Sequence, residues 1–261
     1  MKFRKSVCVE SMYREIPFYE RFAAAGKDGF EFAEFWSWQD KDLARVKEAA
    51  DAAGVGIRAF NGDADYSPIN PEHKTPYLDF LKRSMDAAKQ VGAPSLTVHS
   101  NALDATGAVV NPHEELSYTV KLCSLFNIMD ESAKLAEAEG IVLNLEPLNV
   151  ISDHAGNFLK YTSDAAEIAR IIGSPKLKVL CDIYHMQLNE GNLCNTIGQC
   201  ADQIGHIHAA DAPGRHEPGT GEINFARVFA HLEEMGYDGV IGFELFPKTD
   251  TRTAAAAIMS Y

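Results

Sequence analysis

Four apolar stretches in the second half of this chain each run straight into a side chain able to bind a divalent ion. Glu146 ends Ile-Val-Leu-Asn-Leu-Glu, Asp182 ends Leu-Lys-Val-Leu-Cys-Asp, His208 ends Ile-Gly-His-Ile-His, and Glu244 ends Val-Ile-Gly-Phe-Glu. Runs this short and apolar read as buried strands. If those strands lie parallel, their carboxyl ends share one face and the four side chains converge. Three carboxylates and one imidazole suit Mg2+ or Mn2+, with Co2+ able to substitute. No Cys has Cys-x-x-Cys spacing, so thiolate zinc chemistry is not indicated. Two carboxylates beside such an ion are what moving a proton between adjacent carbons requires.

Each residue taken singly also has a plainer reading. Pro147 cannot donate to a ladder, so the strand stops there and Glu146 stands at the rim. Alone, it is as readily a solvated loop residue. Asp182 alone is a helix cap. His185 lies three residues on, and both can face one site if the chain turns helical there. His206 and His208 share one face of a strand. His208, nearer the carboxyl end, is the expected ligand, and His206 packs a layer below. Gly242 is expected to leave room for substrate or a neighbouring backbone. The loop from Asp211 to Glu222 sets Arg215 among Pro and Gly residues. A guanidinium there suits a substrate carboxylate or hydroxyl pair, whereas the plainer reading pairs it with Glu217 at the surface. His99 is a candidate for orienting a substrate hydroxyl. Glu34 ends another apolar run, and Trp36 and Trp38 after it either wall off a small polar substrate or pack the loops.

The elements that must position these residues alternate regularly. Apolar runs at 3–10, 29–35, 56–61, 95–100, 141–147, 178–183, 204–210 and 239–245 read as strands, with helical patterns between them. The segment 41–53 has Leu43, Val46, Ala50 and Ala53 at helical spacing, with Gly54 as a stop. The segment 112–139 is expected to open at Pro112, and 162–172 at Thr162. Such alternation implies parallel pairing with right-handed crossovers. Eight units predict an α/β protein, a (β/α)8 TIM barrel forming a single domain over 1–261, with its site at the carboxyl ends of the strands. A doubly wound sheet would need a Gly-rich first turn, and none follows 3–10.

Bulk properties narrow the partners. The chain has 261 residues and a net charge of −13, with no basic cluster, which argues against nucleic acid. Five Cys without paired spacing read as free thiols of a reducing compartment. The basic start has no apolar stretch after it, and no run is of spanning length, so no membrane partner and a cytoplasmic location are expected.

Taken together, these stretches resemble the hydroxypyruvate isomerase family. The resemblance is carried by Leu-Glu-Pro-Leu-Asn (145–149), Cys-Asp-Ile-Tyr-His-Met-Gln (181–187) and the run from Ile204 through Pro-Gly-Arg-His-Glu-Pro to Phe225. Phe-Glu-Leu-Phe-Pro (243–247), Pro17–Gly26 and Gly29–Glu34 add to it. It covers most of the chain and is densest from 141 to 247. It implies a xylose-isomerase-like barrel with one divalent metal on Glu146, Asp182, His208 and Glu244. It implies further that Glu146 and Glu244 form the acid/base pair, that His185 and Arg215 contact substrate, and that the protein is a homodimer or tetramer. Members of that family commonly carry Gln where this chain has His208, while the related ketose 3-epimerases carry His.

The leading expectation is a metal-dependent isomerase of small hydroxy-oxo acids, of the type interconverting hydroxypyruvate and tartronate semialdehyde. The alternative is a ketose 3-epimerase acting on free sugars. A lyase or dehydratase acting on oxidised sugars, a multi-metal nuclease and a non-catalytic binding barrel also stand open, the nuclease being disfavoured by charge.

Overall fold

The structure is a computed structural model that describes residues 3–261. Eight strands form one parallel sheet: β1 Arg4–Cys8, β2 Phe32–Phe35, β3 Gly56–Phe60, β4 Ser95–Val98, β5 Val142–Leu145, β6 Leu177–Asp182, β7 Ile204–His208 and β8 Val240–Phe243. Their order is β3-β2-β1-β8-β7-β6-β5-β4. A single parallel bridge between Asn61 and Thr97 brings the two end strands together. The result is the expected (β/α)8 barrel in a single domain. All eight expected strands are present; seven are trimmed by a residue or more, and β6 keeps its expected length but starts one residue earlier.

The strands are short and buried along almost their whole length; β4 and β8 are buried at every position. Helices cover their outer faces while side chains fill the interior, so a continuous apolar run is what this architecture selects. The helices are α1 Arg21–Asp28, α2 Leu43–Ala53, α3 Lys74–Val91, α4 Tyr118–Glu139, α5 Thr162–Ile172, α6 Ile183–Asn189, α7 Leu193–Cys200, α8 Phe225–Glu234 and α9 Thr251–Met259. In α3, Tyr77, Leu81, Ser84, Met85 and Ala88 recur at three- and four-residue steps and are buried. Asp42 opens α2 by accepting from Ala44 N–H and Arg45 N–H, and Gly54 closes it in the left-handed conformation.

One expected boundary moves. The helix predicted from Pro112 starts at Tyr118, and Ser117 caps it through Val120 N–H. His113 is buried at φ +51, a conformation that no right-handed helix can contain. Residues 101–117 therefore form a loop over the carboxyl end of the barrel. Among the described residues, no helix is long and apolar enough to cross a membrane.

Candidate active site at the carboxyl ends of the strands

Strand register brings the ligand-type residues to one level. In the β6–β7 ladder Asp182 lies opposite His208, and in β7–β8 His208 lies opposite Gly242, two residues before Glu244. Glu146 N–H donates to Val98 C=O at 2.9 Å, which sets it just above the last pair of β4–β5. Glu146, Asp182, His208 and Glu244 each offer one ligand atom, and these atoms all lie within 4.8 Å of one another.

Asp182 serves both of its expected readings at once. Its Oδ1 accepts from Tyr184 N–H at 2.7 Å and His185 N–H at 3.1 Å, capping α6. Its Oδ2 is buried without a protein partner. The same holds for Glu146 Oε1 and His208 Nδ1. Uncompensated polar atoms are rare in protein interiors, and three of them belong to one cluster here. The turn into α6 places His185 Nε2 3.7 Å from Asp182 Oδ2 and 3.9 Å from Glu146 Oε1.

The surrounding residues hold this cluster from several directions. His99 donates from Nε2 to Glu146 Oε2 at 3.3 Å, and its Nδ1 meets Asp63 Oδ1 at 2.9 Å. Arg215 donates to Glu244 Oε2 at 2.6 Å and lies 4.0 Å from Asp182 Oδ2. The surface pairing with Glu217, the plainer of its two readings, does not form. Glu217 is buried and accepts from Lys248 N–H, whereas Arg215 sits at φ +56 and turns inward. The Trp36 indole N–H donates to the other oxygen of Glu244. Gly242 makes room for side chains rather than for substrate. A Cβ there would stand 2.7 Å from Glu34 Oε1 and 2.7 Å from His208 Cδ2.

The charges set distinct protonation states. Burial and the neighbouring Glu146 and Glu244 push Asp182 up to about 6, against the pull of Arg215 and His208. Burial would raise Glu244 too, but Arg215, His208 and Trp36 more than offset it and hold its carboxyl well below the usual range. Burial opposes charge on His99, yet Asp63 and Glu146 outweigh it and raise His99 to about 10. His185 goes the other way, because burial, Arg215 and the other histidines hold it well below the usual histidine value. Burial opposes charge on His208 as well, but Glu34 and Glu244 beside it prevail and raise its value well above normal.

These groups open into a cavity of about 610 Å3. Its apolar wall includes Trp36, Trp38, Phe60 and Phe246, and the loop at 103–107 lies over it. Of the expected site residues, Glu146, His208, Glu244, His99, His185 and Arg215 all line it, and Asp182 lies directly behind.

The family description "Xylose isomerase-like TIM barrel" matches residues 19–261. The chain belongs to that family. A 2-oxo-tetronate isomerase of Cupriavidus necator is 30% identical over 96% of this chain and 95% of its own length. A hydroxypyruvate isomerase of Escherichia coli is 31% identical over 95% of each. The resemblance to the hydroxypyruvate isomerases and the expectation of an isomerase both stand on these relatives. Among solved structures, a Brucella melitensis protein described as AP endonuclease, family 2, superposes with a TM-score of 0.91 at 24% identity, covering 100% of this chain and 99% of that one. The 3-keto-D-glucoside 4-epimerase of E. coli superposes at 0.82 with 22% identity, each chain fully covered. Both share the barrel architecture.

Within this xylose isomerase-like barrel, three supporting residues carried no assigned role in the sequence. Asp63 holds His99 through both its ring and its backbone N–H. Asn149 Nδ2 donates to Asp153 Oδ2 and to His185 Nδ1, at 2.9 and 2.6 Å. Asp211, fully buried, accepts from Ala212, Gly219, Gly221 and Ile223 N–H and so folds the loop that carries Arg215. An Asp opening a Gly-rich stretch is the one local signal that could have singled it out.

Proposed function

We propose that the protein is a metal-dependent isomerase of small hydroxy-oxo acids, of the hydroxypyruvate to tartronate semialdehyde type. The observation that carries this reading is the set of three unpartnered buried atoms, Glu146 Oε1, Asp182 Oδ2 and His208 Nδ1, beside Glu244. That donor set fits one divalent ion, and Mg2+ or Mn2+ is the expected one, with Co2+ as a substitute. When bound, the ion supplies polarisation of the substrate carbonyl and stabilisation of the negative charge that grows on the adjacent oxygens.

The residues of the chain carry the proton. Glu244, kept ionised chiefly by Arg215, acts as the base on the hydrogen alpha to the carbonyl. Return of a proton to the neighbouring carbon completes a 1,2-isomerisation through an enediolate. Glu146, the other carboxylate of the pair, is the acid partner, and His99 anchors its second oxygen. His185 is neutral and accepts from Asn149 at Nδ1, so its Nε2–H faces the substrate oxygens. Arg215 holds the carboxylate end of the substrate. The Trp and Phe wall limits access of water to the reacting carbons.

A second reading has its own support. Asp63, Asp65, Asp104 and Asp153 also line the cavity, and Arg215 is its one Lys or Arg among the described residues. A neutral polyol is less opposed by that charge than an acid, which favours epimerisation of a free ketose. There the carboxylate opposite the base returns the proton to the other face of the same carbon.

Proton NMR in D2O with Mg2+-loaded protein separates the two, with hydroxypyruvate and a ketohexose offered in separate tubes. Glu244→Gln controls for spontaneous enolisation. Enzyme-dependent conversion of hydroxypyruvate supports the acid isomerase. Deuterium entering the ketose at C3, with hydroxypyruvate untouched, replaces it with the epimerase.

A further inference from the structure

We infer that Glu34 is a positioning residue for His208. It fixes which ring nitrogen faces the site, and thereby how tightly a divalent ion is held. The inference rests on the proposed role of the four-residue cluster as a metal site.

Glu34 stands near the carboxyl end of β2 and is 5% exposed. Its Oε2 lies 2.9 Å from His208 Nε2, and its Oε1 lies 3.1 Å from His206 Nε2. An ionised carboxylate has only lone pairs to offer, so both histidines donate to it from Nε2. His208 must then turn Nδ1 toward the cluster, 3.5 Å from Glu244 Oε2 and 3.9 Å from Asp182 Oδ2. That is the atom left without a hydrogen-bond partner.

Two features make this a built arrangement rather than a chance contact. His206, fully buried, holds the first oxygen of Glu34, so the carboxylate cannot swing away from His208. Gly242 on β8 leaves the space that both groups occupy, since any Cβ would press on Glu34, His208 and His206 together. Residues from three strands are therefore shaped around one carboxylate. A carboxylate behind a ligating histidine sets its tautomer and its orientation, and loss of such a partner weakens metal binding by about 10–100-fold.

Glu34→Gln tests the point with little change in shape. The new amide has one accepting oxygen and one donating NH2 group. It can satisfy one histidine as before but forces the other to accept at Nε2. Either His208 moves its proton to Nδ1 and loses the lone pair that faces the site, or His206 changes and the amide is no longer anchored as the carboxylate was.

The experiment is calorimetric titration of the metal-free wild type and Glu34→Gln with MnCl2, with circular dichroism to confirm the fold. The expected result is an affinity about 10–100-fold weaker in the variant. Equal affinities would overturn the positioning role while leaving the metal site intact. A wild type that does not bind Mn2+ would overturn the metal site and this inference with it. Should the variant not fold, the wild type decides by itself. In 15N-histidine-labelled, Mg2+-loaded protein, a long-range 1H–15N correlation with the His208 proton on Nε2 supports the inference. A proton on Nδ1 overturns it.

Discussion

The two halves of the barrel carry the same kinds of polar residue at the same rim, yet use them differently. In the first half, β1 to β4, the carboxylates closest to the strand ends are engaged by other parts of the protein. Glu10 holds Trp36 N–H and Lys41, Glu34 holds two histidines, and Asp63 holds His99. In the second half, β5 to β8, Glu146, Asp182 and His208 each keep one atom without a partner, all aimed at one point. Residue type alone does not mark a reactive site. What marks it is a buried group whose hydrogen-bonding capacity the protein leaves unfilled, at a cost in stability that a bound ligand can offset.

This contrast predicts that substitutions in the second half affect turnover first, and those in the first half affect positioning and stability. The largest effect should come from Glu244→Gln, which removes the proposed base. Turnover should fall about 10^2- to 10^4-fold with an unchanged circular dichroism spectrum, and near-normal activity would remove Glu244 from the chemistry. Next comes Asp211→Ala, which releases four backbone N–H groups and lets the Arg215 loop relax. A displaced positioning group can cost about 10^2-fold in kcat/KM, and the melting temperature should drop as well because a buried network is broken. A variant that melts lower yet retains full kcat/KM would show that loop order is dispensable for turnover. Arg215→Ala should raise KM about tenfold for acids, the equivalent of one lost charge-assisted contact, and by much less for neutral sugars. Equal effects on both would end its role as a carboxylate anchor.

The smallest effect belongs to the first half and depends on pH. His99 is raised to about 10 by Asp63 and Glu146 in spite of its burial, against about 6.5 in an unfolded chain. A value raised by folding contributes stability that is full below the unfolded pKa and lost as pH rises through the folded one. In metal-free protein, the stability advantage of the wild type over Asp63→Asn should therefore shrink between about pH 6.5 and 10. Urea midpoints that stay parallel across that window would mean that Asp63 does not sustain the charge on His99.

Much of the site was legible because its ligand-type residues end the strands that carry them or directly follow them. An apolar run ending in Glu, Asp or His places that side chain at the rim whatever the neighbours do, so Glu146, Asp182, His208 and Glu244 could be named together. Other features were not legible, since they depend on partners far away in the chain. Arg215 has Glu217 two positions on, but its partner is Glu244, 29 positions away, because a left-handed backbone at Arg215 turns the side chain inward. Glu34 meets His208 across 174 positions, and no local pattern announces that pairing. The start of α4 was misplaced for a local reason. Acidic residues after Pro112 imitate a first helical turn, while the conformation that forbids it at His113 comes from packing.

Periodicity and strand-end chemistry by themselves determined the barrel, the face that carries the site and the four ligand-type residues. They do so because strand alternation and burial are local consequences of residue type. Only the tertiary structure decided which polar atoms remain unpartnered, which nitrogen of each histidine faces the site, and that Gly242 makes room for a carboxylate and two imidazoles. Those outcomes depend on distances between residues far apart in sequence, which the closure of the barrel sets.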